Sequence, residues 1–139
     1  MQTILVPISP GELLDKITIL RIKSQRMSDP HKLANVRHEL GLLEKTWREA
    51  IGDADVRAEE RALEEVNARL WAIEDDIRVQ EAAQSFEARF VELARAVYFE
   101  NDERAAIKKR INTRLGSKIV EEKSYQDYGA RGRPEVGRK

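Results

Sequence analysis

The chain has 139 residues, about one domain's worth and long enough for one sizeable core. It carries 25 basic and 25 acidic side chains, and this balance argues against a general nucleic-acid coat, which needs a basic excess. It has no cysteine, which excludes a disulfide framework, a thiolate nucleophile and Cys-ligated zinc.

Charged residues make up 36% of the chain and aromatics only 6%, a balance that favours helices over sheets. The longest apolar run, "ILVPI" near Met1, falls far short of the roughly 20 residues of a membrane span. It also lacks the basic flank and longer apolar stretch of a secretory signal. The expectation is a cytoplasmic protein with no membrane partner.

Residues 2–8, "QTILVPI", are β-prone but too short to make a sheet alone. "SPGE" follows. Ser9 suits a helix N-cap, Pro10 the first helical position, and Glu12 the third position of a capping box. The first helix should run from Pro10 to about Met27, with Leu13, Leu14, Ile17 and Leu20 as its apolar face. "SDP" repeats the signal with Asp29 and Pro30. The second helix carries Leu33, Val36, Leu40, Leu43 and Trp47 at helical steps and ends at Gly52. Gly41 inside it suggests a close helix approach.

The third helix is expected over about Asp55 to Ala83, with Leu63, Val66, Leu70, Ile73 and Ile77 as a heptad-like seam. Ser85 can cap a fourth helix from Phe86 to Leu115, with a kink or restart at Asn101–Asp102 and a stop at Gly116. The segment from Lys118 to Tyr125 is a candidate strand partner for the N-terminal segment. The tail 129–139, "GARGRPEVGRK", has the composition of a disordered basic terminus. The predicted architecture is mainly α: one domain over 1–128, an antiparallel bundle of three to four long helices with a small terminal ribbon.

Helical wheels at about 100° per residue put charges where a core is expected. Glu74 and Glu81 lie within about 20° of Leu63, and Asn67 and Arg78 flank the same line. Arg104 eclipses Phe86, Lys108 falls beside Phe90, and Asn101 shares their stripe. On the first helix, Glu12, Asp15, Lys16 and Lys23 border the apolar face. An unpaired buried charge costs several kcal/mol, so these groups must be paired, hydrated or held for a ligand. A register-setting salt-bridge network satisfies that condition. A site between helices also does, with the cations on an anion and the carboxylates on hydroxyls or a metal.

Weaker signals come from single pairs. Glu12 and Asp15 are one turn apart and could share Mg²⁺. With Glu74, Asp75 and Asp76, they give a partial likeness to the all-α nucleotide pyrophosphohydrolases, which hold Mg²⁺ between paired acidic helices. His31 and His38 are too far apart to chelate as a helical pair and suit the surface. Trp47 and Trp71 suit core or interface anchors better than stacking platforms.

"ISPGELLDKITILRIK", "LANVRHEL", "LWAIEDDIR", "LARAVYFENDERAAIKKRIN" and "GSKIVEEKSY" together resemble the signature blocks of an uncharacterised bacterial family, a domain of unknown function. The resemblance covers roughly residues 4–128 and implies no activity, although some members occur with glycosyltransferase or other surface-polysaccharide genes. It implies characteristic polar positions at Glu12, Asp15, Lys16, Asn35 and Glu39, and at Glu74, Asp75, Arg78 and Glu81. Further ones fall at Asn101, Asp102, Arg104, Lys108, Asn112, Glu121, Glu122, Lys123 and Tyr125. Many of these are the inward charges found from the wheels.

Three functions follow as expectations. The leading one is binding of a small anionic metabolite, such as a phosphorylated sugar or nucleotide. Arg104, Lys108 and Arg78 would hold the anion, with Glu74, Glu81, Asn101 and Lys16 around it and Tyr125 closing the site. Glu12 and Asp15 are the metal candidates, and the carboxylates are the general-base candidates if a reaction follows. The second is a non-enzymatic interaction module that homodimerises through the third helix. The third is the Mg²⁺-dependent pyrophosphohydrolase.

Overall fold

The computed structural model describes residues 1–129 and Pro134, and all regular secondary structure among them is helical. Four helices follow in order: α1 (Pro10–Arg26), α2 (Pro30–Ile51), α3 (Arg57–Ala82) and α4 (Ala88–Arg114). The two Pro-initiated starts form as the sequence predicts. Ser9 Oγ accepts from the Glu12 amide at 3.2 Å, and Asp29 accepts from the amides of His31 and Lys32. Gly52 caps α2, and Gly116, in the left-handed region at φ +66°, closes α4.

The end of α3 corrects one expectation. Gln84 adopts φ +53°, and Ser85 N–H turns back to the Gln80 carbonyl at 2.9 Å. This is the double-bonded stop usually built on glycine. Ser85 is spent on that turn and does not cap α4, which starts at Ala88, two residues after the expected Phe86, with no side-chain cap at Glu87. α4 also runs without interruption through Asn101–Asp102, where a kink was expected.

The terminal ribbon does not form. Residues 2–8 and 118–125 contain no strand among the described residues, and Ile4, Leu5 and Val6 stand exposed. A two-stranded ribbon with no third strand or helix beneath it is marginal in water. The basic tail falls mostly outside the described residues.

α3 and α4 make an antiparallel hairpin, pinned at three heights by Glu59–Arg114, Arg69–Glu100 and Asp76–Arg89. α1 lies in the groove of that hairpin, antiparallel to α4, and α2 packs back along α1. The main core joins Leu14, Leu63, Val66, Ile107 and Ile111, with Trp47 reaching it from α2. A smaller cluster of Ile73, Leu93 and Ala96 lies between α3 and α4 alone.

Helix length explains that division. At 1.5 Å per residue, the 17 residues of α1 span about 25 Å and the 26 of α3 about 39 Å. The far end of the hairpin therefore has no third helix over it. Glu81, on a core-facing line by its wheel position, is exposed there.

The close approach expected at Gly41 is found instead at Gly11. Gly41 has open space around it, whereas a Cβ on Gly11 would lie 2.5 Å from the Lys108 carbonyl oxygen and 2.9 Å from Asn112 Oδ1. The Gly11 N–H donates to Asn112 Oδ1 at 2.7 Å, so the first turn of α1 is seated directly on α4. Gly11→Ala should therefore destabilise the fold by about 1–3 kcal/mol through overpacking against backbone. Urea unfolding measures this, with Gly41→Ala as the control that should be neutral or slightly stabilising.

Candidate functional site

A polar layer crosses the bundle between its two apolar clusters. Along α3, Asn67 follows Leu63 and Val66 and precedes Ile73; along α4, Glu100 and Arg104 separate Ala96 from Ile107. Thr18 and Asp15 bring α1 into the same layer, and Asp15, Thr18, Asn67 and Glu100 are all buried. Asn67 Nδ2 donates to Asp15 Oδ1 and Thr18 Oγ1, both at 2.9 Å, while the Thr18 hydroxyl donates to the Asp15 carbonyl at 2.8 Å. The amide thus spends both hydrogens on α1, which fixes the axial position of α1 against α3.

The predicted cations separate at this layer. Lys108 is buried and closed in by carboxylates: its ammonium lies 2.6 Å from Glu12 Oε2 and 3.1 Å from Glu121 Oε2. Burial alone would lower its pKa. Hydrogen bonds to Glu12 and Glu121 and the charges of Glu12 and Asp15 outweigh that and raise it above the ordinary lysine value. Burial pushes Glu12 the other way, up, but the hydrogen bond and charge of Lys108, with Lys16 and Arg104, bring it below the usual glutamate value. Glu121 reaches Lys108 from the segment after α4, so this ion-pair network also holds the start of that segment down. Lys16 stands outside, 3.8 Å from Glu12 and exposed.

Arg104 has a different setting. Its side chain is only 29% exposed, yet its nearest carboxylate oxygen, Asp15 Oδ1, is 3.9 Å from Nε and already bonded to Asn67. Among the described residues its guanidinium makes no hydrogen bond. It faces a cleft of about 390 Å³ at the step where α1 ends against α3 and α4. Asn101, Arg78, Glu74 and Lys23 line this cleft with it, as do Trp71, Asp75 and the apolar Ile19, Ile22 and Leu70. Arg78 and Glu74 pair with each other along α3. The side chains of Asn101, Lys23 and Trp71 make no hydrogen bond among the described residues, so the cleft presents several uncommitted donors.

Of the residues singled out by sequence, Arg104, Arg78, Glu74 and Asn101 therefore share one cleft. Lys108 and Glu12 meet in the closed network. Tyr125 is exposed and lines a separate hollow with Phe99, Asp102, Lys123 and Tyr128, where the Tyr128 hydroxyl donates to Asp102. The metal candidates Glu12 and Asp15 face Lys108 and Asn67 respectively. Among the described residues no group of three or more Asp, Glu or His side chains is placed to hold a metal ion.

Several participants escaped sequence reasoning. Thr18 carries no charge and looks like ordinary helix filler. Glu100 sits on the Leu93–Ala96–Ile107 stripe, but the stripe was phased from Phe86, which lies exposed before α4 begins. Arg21 bonds Glu64 at 2.8 Å and lies within ion-pair reach of Glu44 and Glu60, tying α1 to α2 and α3. Its position four residues after Ile17 was the available signal.

The family described as a family of unknown function (DUF6165) matches residues 4–135, and the chain belongs to it. No curated protein and no solved structure matches the chain. No described helix is long and apolar enough to cross a membrane.

The Lys108 network makes stability depend on pH in a defined sense. Glu12, with its depressed folded pKa, contributes stability fully above its unfolded value of about 4.3, and this is lost as pH falls through the folded value. Lys108, with its raised pKa, contributes stability fully below about 10.4, lost as pH rises through the folded value. Glu12→Gln should melt below wild type at neutral pH, and the two curves should converge as the pH drops below about 4. Melting temperatures measured across pH check this; a gap that stays constant into acid would contradict the coupling.

Proposed function

Family membership leaves the activity open, and from the geometry of the cleft we propose that this protein binds a small anionic metabolite between α1, α3 and α4. One observation carries the reading: Arg104 is partly buried, its one ion-pair contact is Asp15 at 3.9 Å, and among the described residues it makes no hydrogen bond, beside uncommitted donors from Asn101 and Lys23. Removing a guanidinium from water is unfavourable unless something replaces the lost hydration. A phosphate or carboxylate supplies that replacement, and Arg offers it a two-pronged donor. Asp75, and the Glu74 oxygen that Arg78 does not engage, would accept from hydroxyl or N–H groups on the remainder of the ligand. Lys108 drops out of the anion-binding set because Glu12 and Glu121 already neutralise it.

A second reading, self-association, draws on the N-terminal arm. Ile4, Leu5 and Val6 are exposed in succession, and the family match begins at residue 4, so the arm belongs to the family's shared region. α3 is not the dimer surface in this reading, because Leu63, Val66, Leu70 and Ile73 are buried within the chain. A second copy covering the arm would remove these apolar side chains from water.

Each reading has its own test. In a melting screen of phosphorylated sugars and nucleotides, with and without Mg²⁺, a true ligand at about 100 times its Kd should stabilise by about 2.7 kcal/mol. Arg104→Ala should remain folded and bind about 10- to 100-fold more weakly, the scale of a charged hydrogen bond. A panel that leaves the melting temperature unmoved would overturn the binding reading. For self-association, light scattering should show a dimer that Leu5→Asp converts to monomer; a monomeric wild type removes that reading.

A further inference from the structure

Building on the anion-binding reading, we propose that the ligand of this cleft is a nucleotide whose base stacks on Trp71 while its phosphate meets Arg104. The cleft has two unlike walls. Trp71, Glu74 and Arg78 stand at i, i+3 and i+7 on α3 and so share one face of that helix. Ile19 and Ile22 stand one turn apart on α1 and present an apolar wall. A sugar phosphate can lay one C–H face on an indole, but it has no flat two-sided surface to fill the space between an indole and an isoleucine wall. A nucleotide separates its chemistry as the cleft does: a planar apolar face, a hydrogen-bonding edge and a charged end.

Trp71 is suited to the stacking role. The sequence suggests a core or interface anchor, and the structure leaves it only partly buried, in neither apolar cluster and with no ring contact to another aromatic among the described residues. Trp47, by contrast, packs on the main core. Base stacking on an aromatic tolerates any base, because every base has a π face. Discrimination among bases would then fall to the carboxylate of Glu74, which accepts from exocyclic amino or ring N–H groups. The cleft, at about 390 Å³, lies within the size range of small-ligand sites.

The chain has two tryptophans, so Trp47→Phe leaves Trp71 as the sole tryptophan in the full-length protein, excited selectively at wavelengths too long for tyrosine. This variant is titrated with adenylate, uridylate and ribose phosphate, which share the same phosphate charge. The nucleotides should quench Trp71 emission saturably and bind at least about tenfold more tightly than ribose phosphate. Trp71→Leu, checked for folding by its melting curve, should reduce nucleotide affinity to that of ribose phosphate. If all three ligands bind alike, depend on Arg104 and leave Trp71 emission unchanged, the nucleotide assignment falls and anion binding stands. If none of the three binds, and no other member of the wider melting screen does, both fall.

Discussion

The first turn of α1 is pressed onto the last turns of α4 so closely that only glycine fits at position 11. That contact sets everything above it. With Gly11 bonded to Asn112, a straight α1 places Asp15 and Thr18 level with Asn67, and the Asn67 amide then locks the register from the α3 side. Helices that pack through apolar side chains alone can slide by a turn at modest cost. Here a slide would strand a buried carboxylate, a hydroxyl and an amide at once, each a loss of about 1–3 kcal/mol. The polar layer is therefore a positional device as well as a site.

The same register decides what each cation does. Lys108 is one turn from Asn112, close to the pinned end, where Glu12 and the returning Glu121 both reach it. Arg104 is one turn further along, where Asp15 is already engaged by Asn67 and the guanidinium borders the cleft beside Ile19 and Ile22. Two cations four residues apart thus have opposite settings, one neutralised and one left facing an open cleft. The cleft lies alongside the last two turns of α1, between Ile19, Ile22 and Lys23 on that helix and Trp71, Glu74 and Arg78 on α3.

Local signals made much of the fold legible in sequence. Ser9–Pro10, Asp29–Pro30 and Gly116 act through hydrogen bonds within one turn, and the Leu63–Val66–Leu70–Ile73 seam has a period that needs no knowledge of its partner. The inward placement of Arg104 could be seen in the same way, since a wheel shows when a charge breaks an apolar stripe; Glu74 and Arg78, placed inward by the same reasoning, instead stand at the rim of the cleft, Glu74 half-exposed and Arg78 exposed. What a wheel lacks is the length and position of the opposing helix, so Glu81 was placed inward although nothing covers it. Pairings were also out of reach. Gly11 and Asn112 are 101 residues apart in sequence, and neither residue type announces the contact. The terminal ribbon failed for the converse reason: β propensity was present in both segments, but no apolar surface lay beneath them.

Lys108 is bound into the bundle by its carboxylates, whereas the role proposed for Arg104 is to meet something bound between the helices. Comparing urea unfolding of Lys108→Met and Arg104→Met in the absence of ligand tests this contrast most directly, because both changes keep a long apolar side chain. Lys108→Met should lose about 1–3 kcal/mol by leaving its carboxylates unpaired. Arg104→Met should stay within about 0.5 kcal/mol of wild type or exceed it, since a group held for binding is often a burden on stability. An Arg104→Met loss as large as that of Lys108→Met would make Arg104 one more structural ion pair and contradict the account.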